Sequence, residues 1–503
     1  MNNKLNILLG VIIDYFGLVV SILVNIIGVR IYLKYLSLYE YGVWLSIFAL
    51  TSIITSFDFS SDQFLLTKLP SDKIFFSRSN DIISKNIFYK LIAAVIIIII
   101  SFVIKINLKD FISQNSLNYT LLSQVFIISV FASIMSSLAG TFSTILLSRS
   151  HFKIVNFFLL IVVIVNFIIN IILLEFNFNI LSFAYSLLIV NSSLFLFFII
   201  YSIRQYPHLK FAIIPKLSID KNIIKYTAFN QLIKIVASLR SQYIVIIIGK
   251  IVGPLAISTY NISTRLPSLT PILFSKIVSP LFPSFSRLVI DENYNLLKEY
   301  FLKVTSFLLR MSILSIIILY FSTSDFVKLW LPNSVFFNKV SFLLFLITVF
   351  IASLFSAFGS IIISRGDLKH MAFFSIVEII FTILFSTYFG YKFGIEGIIF
   401  GFLSSSLITY FYQYITVSKF LLITRKDIVN FSVITNTLLP NVFTIIFSLL
   451  FLKYYKIDRW ETIITYVLLC IFFNVFPFDI IKLFIQKSRI NVNNLLKLYI
   501  GNF

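Results

Sequence analysis

Apolar residues run in long blocks along almost the whole chain, and short polar stretches separate one block from the next. A block of about 20 apolar residues is long enough to cross the ~30 Å hydrocarbon core of a bilayer as a helix. The stretch LIAAVIIIIISFVI at residues 91–104 is the clearest example. We predict about 14 such spans, numbered in chain order, and hence an all-α polytopic membrane protein. They lie at roughly residues 7–29, 41–64, 91–109, 121–148, 154–174, 181–203, 226–250, 256–285, 304–323, 338–364, 371–391, 395–417, 432–452 and 461–481.

The composition agrees with a membrane protein. Of the 503 residues, 59% are hydrophobic and only 12% are charged, about half the charged fraction of a typical soluble chain. The first apolar block is too long for the core of a signal peptide and lacks a small-residue cleavage site, so we expect it to be retained. A single cysteine, Cys470, excludes an internal disulfide.

The net charge of +21 indicates an orientation rather than a nucleic-acid partner. When the N-terminus is placed in the cytoplasm, lysine and arginine are more numerous in the inner segments than in the outer loops. The positive-inside rule then predicts that both termini are cytoplasmic. Basic loops next to anionic inner-leaflet lipids account for the positive charge, which disfavours nucleic-acid binding.

Several kinds of activity lack the sequence features that they require. None of the predicted outer loops is long enough for a catalytic domain, and the chain contains no G-x-x-x-x-G-K-[ST] phosphate-binding motif. His151, His208 and His370 have no partners at metal-ligand spacing. We therefore predict a protein that is not an enzyme and that has neither a metal site nor a cofactor.

Two similar phrases indicate an internal repeat. ILLSRSHFK at residues 145–153 ends span 4, and IIISRGDLK at residues 361–369 ends span 10. Because six spans separate them, both copies cross the membrane in the same direction, as in transporters built from parallel repeats. Chance recurrence in a low-complexity chain is the alternative. The predicted domains are a six-helix bundle (1–208), a cytoplasmic linker (209–225), a second six-helix bundle (226–420), and spans 13 and 14 with a cytoplasmic tail (421–503).

Small and polar residues at steps of three and four form one face on span 1 and one on span 7. The face on span 1 comprises Gly10, Asp14, Gly17, Ser21, Asn25 and Gly28, and that on span 7 comprises Thr227, Gln231, Lys234, Ser238 and Ser241. The repeat places the two faces at equivalent positions, so we predict that they line a central cavity. For the three glycines, close helix packing is the favoured alternative.

Charges inside the spans are further candidates, because a charge at the bilayer centre costs about 2.5–3.5 kcal/mol. Arg240 is predicted near the midplane, whereas Lys234 is close enough to the cytoplasmic end to snorkel instead. Glu378 in span 11 and Arg310 in span 9 could pair, which the sequence leaves open. Since the second bundle holds most of the bases, its cavity wall suits an anionic ligand such as a phosphate.

Spans 2 and 8 carry opposite charges at matching repeat positions. Asp58 and Asp62 lie near the cytoplasmic end of span 2, and Lys276 lies in span 8 on nearly the same face as Arg265. We predict that Asp58, Asp62 and Lys276 help to close a cytoplasmic gate, with independent capping of each helix end as the alternative. Span 8 is also predicted to bend, because it contains Pro267, Pro271, Pro280 and Pro283.

Five stretches resemble motifs of flippases in the multidrug/oligosaccharidyl-lipid/polysaccharide (MOP) exporter superfamily. They are YLSLYEYGVW (35–44), FDFSSDQFLLTKL (57–69), VGPLAISTYNISTRL (252–266), FVKLWLPNSVFFNKVSFLLFL (326–346) and KFGIEGIIFG (392–401). In the second stretch, Ser60 replaces the glycine that is usual in the family. With the 6 + 6 + 2 arrangement, these stretches are most similar to Wzx-type flippases.

The resemblance implies a V-shaped central cavity between the bundles that opens alternately to each side of a bacterial inner membrane. The implied substrate is a polyprenyl-pyrophosphate-linked oligosaccharide, moved from the inner to the outer leaflet for O-antigen or other surface polysaccharide. Its lipid tail would remain among the membrane lipids. A polysaccharide polymerase and its chain-length machinery are the implied protein partners.

The resemblance also implies roles for individual residues. The pyrophosphate would be attracted by Arg240, Lys234 and Arg265. Hydrogen bonds to sugar would come from Ser21, Asn25, Gln231 and Ser238. Coupling to a proton or sodium gradient would involve Asp14 and Glu378.

Two other transport functions fit the same resemblance. An ion-coupled multidrug exporter of cationic drugs would be expected to have mostly acids in its cavity. A span-1 acid such as Asp14 would fit that function, but the deep charges of the second bundle are mostly basic. A flippase for the cell-wall lipid precursor would share the anionic lipid-linked substrate. The sequence does not identify the sugar, the coupling ion or the oligomeric state.

Overall fold

The computed structural model describes residues 2–58, 62, 65–66, 69–70, 72–108, 119–209, 221–332, 336–424, 427, 437–455 and 457–487, and regular structure within these residues is helical throughout. The long helices are α1 (Asn2–Tyr35), α2 (Leu38–Thr55), α3 (Asp72–Ile106), α4 (Tyr119–Ser148), α5 (Phe152–Glu175), α6 (Leu181–Gln205), α7 (Lys221–Ile251), α8 (Pro254–Thr264), α9 (Leu269–Val278), α10 (Phe282–Ile290), α11 (Tyr294–Trp330), α12 (Lys339–Leu354), α13 (Ser356–Ser364), α14 (Leu368–Phe420), α15 (Leu439–Tyr454) and α16 (Trp460–Lys487). The all-α prediction is confirmed.

Every predicted span overlaps helical structure in the described residues. Among the described residues, 11 helical segments are long and apolar enough to cross a membrane. One of them, Lys369–Phe420, contains predicted spans 11 and 12. The shorter apolar helices Leu439–Tyr454 and Trp460–Asn474 occupy the positions of spans 13 and 14. The chain is therefore a membrane protein with many spans.

Several predicted helix boundaries differ from the structure, and two of the differences concern the candidate site. Helix α2 ends at Thr55, nine residues before the predicted end of span 2. Helix α3 begins at Asp72 rather than near residue 91, so the polar stretch SNDIISKNIFYK (79–90) is helical. This stretch packs one face inward, because steps of four, three and four bring together the buried residues Ser79, Ile83, Asn86 and Lys90.

The bends predicted for span 8 are present. Helix α8 ends at Thr264, and α9 begins only at Leu269. A 3₁₀ turn, Ser279–Leu281, then separates α9 from α10. Pro267 lies in the first interruption and Pro280 in the second, where the missing amide hydrogen cannot continue an α-helical ladder.

A glycine divides α14 into two antiparallel arms. Gly394 has φ 59° and ψ −137°, a conformation that residues with a Cβ rarely adopt. The arms then approach closely, since a Cβ on Gly397 would lie 2.0 Å from the carbonyl oxygen of Phe389. Ser386 donates across the arms to the carbonyl of Ile398 (3.1 Å). Spans 11 and 12 are therefore a tight helical hairpin.

The helices form two compact units. The first comprises Met1–Asn261 and Leu368–Ser406. In it α1 packs against α5, α4 packs against α6, and α2 packs against α7.

The packing role predicted for two glycines of α1 is confirmed. A Cβ on Gly10 would lie 2.5 Å from Cβ of Phe152 on α5, and one on Gly17 would contact Leu160. Asn156 also donates its side-chain amide to the carbonyl of Gly10 (2.9 Å). Small residues thus allow α1 and α5 to lie side by side.

The second unit comprises Ile262–Asp367 and Leu407–Phe503. Its helix α11 packs against α12 and against the C-terminal pair α15 and α16. Leu314 of α11, with Tyr466 and Cys470 of α16, belongs to the apolar core of this contact. These two units are defined by helix packing, and their boundaries differ from those of the two predicted six-helix bundles. The division of the chain into those bundles stays a prediction. Most of the predicted linker lies outside the described residues.

Candidate functional site

Helices α2 and α7 meet along a close contact in the first unit, which we call the α2–α7 seam. At one end, where α2 meets the start of α8 directly after α7, a Cβ on Gly42 would lie 1.9 Å from the carbonyl oxygen of Pro254, so only glycine fits there. The hydroxyl of Ser258 donates to the carbonyl of Leu38 in the same region. Small residues therefore allow backbone to approach backbone at this end of the seam.

Two of the predicted sugar-binding side chains lie at the other end of the seam. Gln231 is buried and donates Nε2 to the carbonyl of Ser56 (2.6 Å). Ser238 donates to the carbonyl of Ser52 (3.1 Å). In this conformation both side chains bind the C-terminal turn of α2, and a role for them in binding sugar stays a prediction.

Arg240 of α7 is held by the hairpin of α14. Its Nε lies 2.9 Å from Oε1 of Glu378 on the first arm, and its Nη2 donates to the hydroxyl of Ser406 on the second arm (2.7 Å). The guanidinium carbon lies 4.8 Å from the centre of the Phe402 ring. Since the side chain of Glu378 is only 6% exposed, the pair is removed from solvent on the acidic side.

This pair brings together two residues for which the sequence predicted separate roles. Arg240 was expected to bind a pyrophosphate, and Glu378 was expected to couple transport to an ion. The sequence left open whether Glu378 pairs with Arg310; in the structure Glu378 contacts Arg240. An arginine that keeps a carboxylate partner can exchange that partner for another anion, because guanidinium holds carboxylate and phosphate oxygens with the same geometry.

The remaining polar residues of the two predicted faces are more open. Asp14 and Asn25 on α1 and Lys234 on α7 are exposed, whereas Ser21 is half-buried. Asn25 donates its amide to the carbonyl of Ser21 (2.8 Å) along the same helix. Lys234 therefore presents its charge at the surface of α7, whereas the charge of Arg240 is paired.

Asp58 and Asp62 belong to a polar network with α3 and α4. Lys90 of α3 contacts Oδ2 of Asp62 (2.8 Å), with its own side chain only 1% exposed. Asn86 donates to Oδ1 of Asp62 (2.9 Å), and Ser137 of α4 donates to Oδ2 of Asp58 (2.6 Å). Lys90 also donates to the backbone carbonyl of Ser137. We call this set of residues the Lys90 network.

The Lys90 network was missed by sequence reasoning. Hydropathy placed Lys90 in a loop, because a buried lysine that is neutralised by a neighbour has the same hydropathy as a solvated one. The signal that could have found it is the helical spacing of Asn86 and Lys90, four residues apart on one face. The predicted first bundle therefore contains a buried base, Lys90, as well as acids.

The other candidate bases lie in the second unit. Arg265 is half-buried in the turn that follows α8, and Lys276 is half-buried in α9. The gate role predicted for Asp58, Asp62 and Lys276 stays a prediction. Arg310 of α11 donates from Nε to the side-chain oxygen of Asn474 on α16 (3.1 Å) and from Nη2 to its backbone carbonyl.

Comparisons with protein-family models and with curated protein sequences each return no match. Solved structures do match. The lipid II flippase MurJ in an inward closed conformation aligns with a TM-score of 0.71 and 16% identity over 96% of this chain and 100% of that one. An inward-facing MATE family multidrug resistance transporter of the MOP superfamily has a TM-score of 0.60 and 12% identity, covering 80% and 94%. A MOP superfamily transporter from Pyrococcus furiosus gives 0.55 and 13%, covering 84% and 97%.

The chain has the fold of MOP superfamily transporters. The resemblance seen in the sequence motifs is thereby supported at the level of the fold. Identities of 12–16% leave the substrate unspecified.

Proposed function

We propose that the protein is a flippase for a polyprenyl-pyrophosphate-linked oligosaccharide. It moves the repeat unit of a surface polysaccharide, such as O-antigen, from the inner to the outer leaflet of a bacterial inner membrane by alternating access. Both termini are then cytoplasmic, as the distribution of lysine and arginine favours.

The observation that carries the proposal is the extent of the structural likeness. The lipid II flippase aligns over 96% of this chain, whereas the MATE transporter aligns over 80%. Of these two structures, the lipid II flippase is thus the better match for a chain that has two helices beyond its twelve predicted repeat spans. The charges agree, since an anionic substrate suits exposed Lys234 and an arginine that can exchange its carboxylate partner.

In the proposed mechanism, Lys234 attracts the pyrophosphate and Arg240 binds it after release from Glu378. When Arg240 moves, the buried carboxylate of Glu378 loses its arginine partner, which favours uptake of another cation. This sequence of events gives Glu378 the coupling role that the sequence predicted. Membrane lipids surround the polyprenyl chain, and a polymerase would use the product on the outer side.

A flippase for a cell-wall lipid precursor is the second candidate, because lipid II is the substrate named for the aligned flippase. Deletion of the gene and extraction of polyprenyl-linked saccharides distinguish the two functions. Accumulated repeat units with loss of surface polymer, both reversed by the intact gene, support the proposal. Accumulated cell-wall precursor supports the second candidate, and sensitivity to cationic drugs with normal lipid pools contradicts both.

The anion-binding role is tested with the purified protein in vesicles that contain a fluorescent lipid-linked oligosaccharide. Arg240→Gln is expected to lower the flipping rate at least about tenfold, since one charge-assisted contact contributes more than about 1.4 kcal/mol. Lys250→Gln is the matched control, because Lys250 is an exposed base in the last turn of the same helix. Equal rates for the two variants would contradict the proposed site.

A further inference from the structure

The two carboxylates of the Lys90 network have different surroundings. Asp62 receives the ammonium of Lys90 at 2.8 Å, the amide of Asn86 at 2.9 Å and the hydroxyl of Thr141 at 3.4 Å. A carboxylate with an ammonium and an amide at hydrogen-bond distance is stable in its ionised form. Asp62 therefore neutralises Lys90.

Asp58 has much weaker support for a negative charge. Among the residues that the structure describes, the hydrogen bond to its carboxylate comes from the neutral hydroxyl of Ser137 (2.6 Å). It lines a small cavity between α2, α3 and α4, together with Thr55, Ser133 and the already paired Lys90. Apart from Lys90, which Asp62 neutralises, the polar side chains that line the cavity with Asp58 are hydroxyl groups, and these serve a protonated acid as well as they serve a carboxylate.

The charged groups around Asp58 do not balance a second carboxylate. Asp62 follows it in the chain, Lys90 faces it from α3, and the more distant Lys234 acts on it from α7. In the part of α4 that lines the cavity the polar groups are serines. Lys90 is already paired with Asp62, and Lys234 is exposed to solvent. Two ionised carboxylates and one buried ammonium would leave a net negative charge in an interior that disfavours it.

We infer that Asp58 is a proton-binding site and holds a proton in this conformation. The proton comes from water that reaches the cavity, bonds to a carboxylate oxygen of Asp58, and is shared with the hydroxyl of Ser137. The site then contains one ionised acid and one ionised base and is neutral. Release of the proton recreates the uncompensated charge beside Lys90.

The position of Asp58 connects this proton to the α2–α7 seam. Asp58 lies two residues after Ser56, whose carbonyl accepts the amide of Gln231, and near Ser52, whose carbonyl accepts the hydroxyl of Ser238. A change of charge at Asp58 therefore acts at the turn of α2 that α7 binds. If the proposed transport function holds, on which this step rests, the proton is a coupling ion and Asp58 is the residue that carries it.

The test is infrared difference spectroscopy of the purified protein in lipid at neutral pH, in H₂O and in D₂O. A protonated carboxyl group has a carbonyl stretch that an ionised one lacks and that shifts on deuteration. Asp58→Asn is expected to remove one such band. The matched control is Asp81→Asn, because Asp81 pairs with Lys85 on α3 at 2.8 Å but is 49% exposed. It is expected to keep the band.

Ser137→Ala keeps Asp58 in place and serves if Asp58→Asn does not fold. It is expected to move the band to higher frequency, because the carboxyl loses its hydroxyl partner. A band that persists in Asp58→Asn, or that does not move in Ser137→Ala, overturns the inference. The measurement involves no transported lipid, so a chain that shows the band but flips no oligosaccharide would contradict the proposed function alone.

Discussion

Two cations inside the helical units, buried Lys90 and half-buried Arg310, are stabilised in different ways. Lys90 in the first unit is neutralised by a carboxylate, Asp62, at 2.8 Å. Arg310 in the second unit is bound by amide and carbonyl oxygens of Asn474, and its own carbonyl accepts the side-chain amide of Asn441 (3.3 Å). Asn474 in turn donates to the side-chain oxygen of Asn441 (2.8 Å).

The difference lies in what each cation can do. Carboxylates next to Lys90 can gain or lose a proton, so the charge of that network can change with conditions. Arginine does not deprotonate in proteins, and amides do not titrate, so the charge of the Arg310 network is fixed. The first network suits a switch, and the second suits a permanent connection of α11 to the C-terminal helices.

The largest expected effect comes from breaking the ion pair of the first network. Lys90→Met leaves the carboxylate of Asp62 partly buried without its cation, which should lower the free energy of unfolding by about 3 kcal/mol. The value is at the lower end of the usual range because Asp62 is 20% exposed. Thermal unfolding in detergent measures it.

The double variant Lys90→Met/Asp62→Leu removes both charges and should recover most of that loss. A single variant as stable as the wild type would mean that the Lys90–Asp62 contact is not an ion pair in the folded protein.

Arg310→Met should have a smaller effect, about 2 kcal/mol, because its loss leaves neutral amides that already bond to each other. Faster proteolysis within α15 and α16 is expected as well, since the variant loosens their connection to α11. Lys453→Met, at the exposed end of α15, is the control. If Arg310→Met lost more unfolding free energy than Lys90→Met, the Arg310 network would be the more important of the two for stability, contrary to expectation.

Tyr466→Phe removes one hydrogen bond from the same C-terminal pair. The hydroxyl of Tyr466 donates to that of Ser448 (2.9 Å), and both residues are buried. The expected loss is about 1 kcal/mol, because Ser448 still donates to the carbonyl of Thr444. Thermal unfolding compared with Tyr454→Phe, an exposed tyrosine on α15, checks it. A loss as large as that of Arg310→Met would place the Tyr466 hydroxyl, rather than the arginine, at the centre of the connection.

The smallest effect is expected at a solvent-accessible pair. Lys298 contacts Asp427 at 2.8 Å, and together with the backbone and hydroxyl of Thr424 it lowers the pKa of Asp427 to about 2. Because the pKa is lowered by folding, the ionised carboxylate stabilises the protein above its ordinary pKa of 3.8, and this contribution is lost as the pH falls through about 2.

Asp427→Asn should therefore be slightly less stable than the wild type at neutral pH, and the difference should shrink in acid. Thermal unfolding at a series of pH values measures both. Asp325→Asn, next to exposed Lys328, is the control. If the stability difference between Asp427→Asn and the wild type grew as the pH fell, the ionised carboxylate of Asp427 would not be stabilising the protein.

Much of the fold follows from periodicity and local chemistry. Blocks of apolar residues located the helices, because a lipid-exposed backbone must satisfy its own hydrogen bonds. Proline chemistry predicted the interruptions around Pro267 and Pro280. Steps of three and four on span 1 predicted the close packing that Gly10 makes with Phe152. These are local properties, and each can be predicted from a few neighbouring residues.

Pairings between distant residues could not be predicted in the same way. Arg240 and Glu378 are 138 residues apart, and no local pattern selects Glu378 over another acid. For Lys90, hydropathy gave the wrong environment, because a hydropathy index takes no account of a neutralising neighbour. The sequence therefore predicted candidate residues, whereas it did not predict the contacts that those residues make.

The α2–α7 seam has a consequence for the order in which the chain is made. Gln231, which donates to the carbonyl of Ser56, is synthesised 175 residues after it. At about 5–20 residues per second, that interval is roughly 9–35 seconds. During this time the C-terminal turn of α2 has no partner from α7, and water, lipid or the insertion machinery must satisfy its carbonyl groups. A nascent chain that stops after the sixth helix should therefore be a preferred substrate for quality-control proteases.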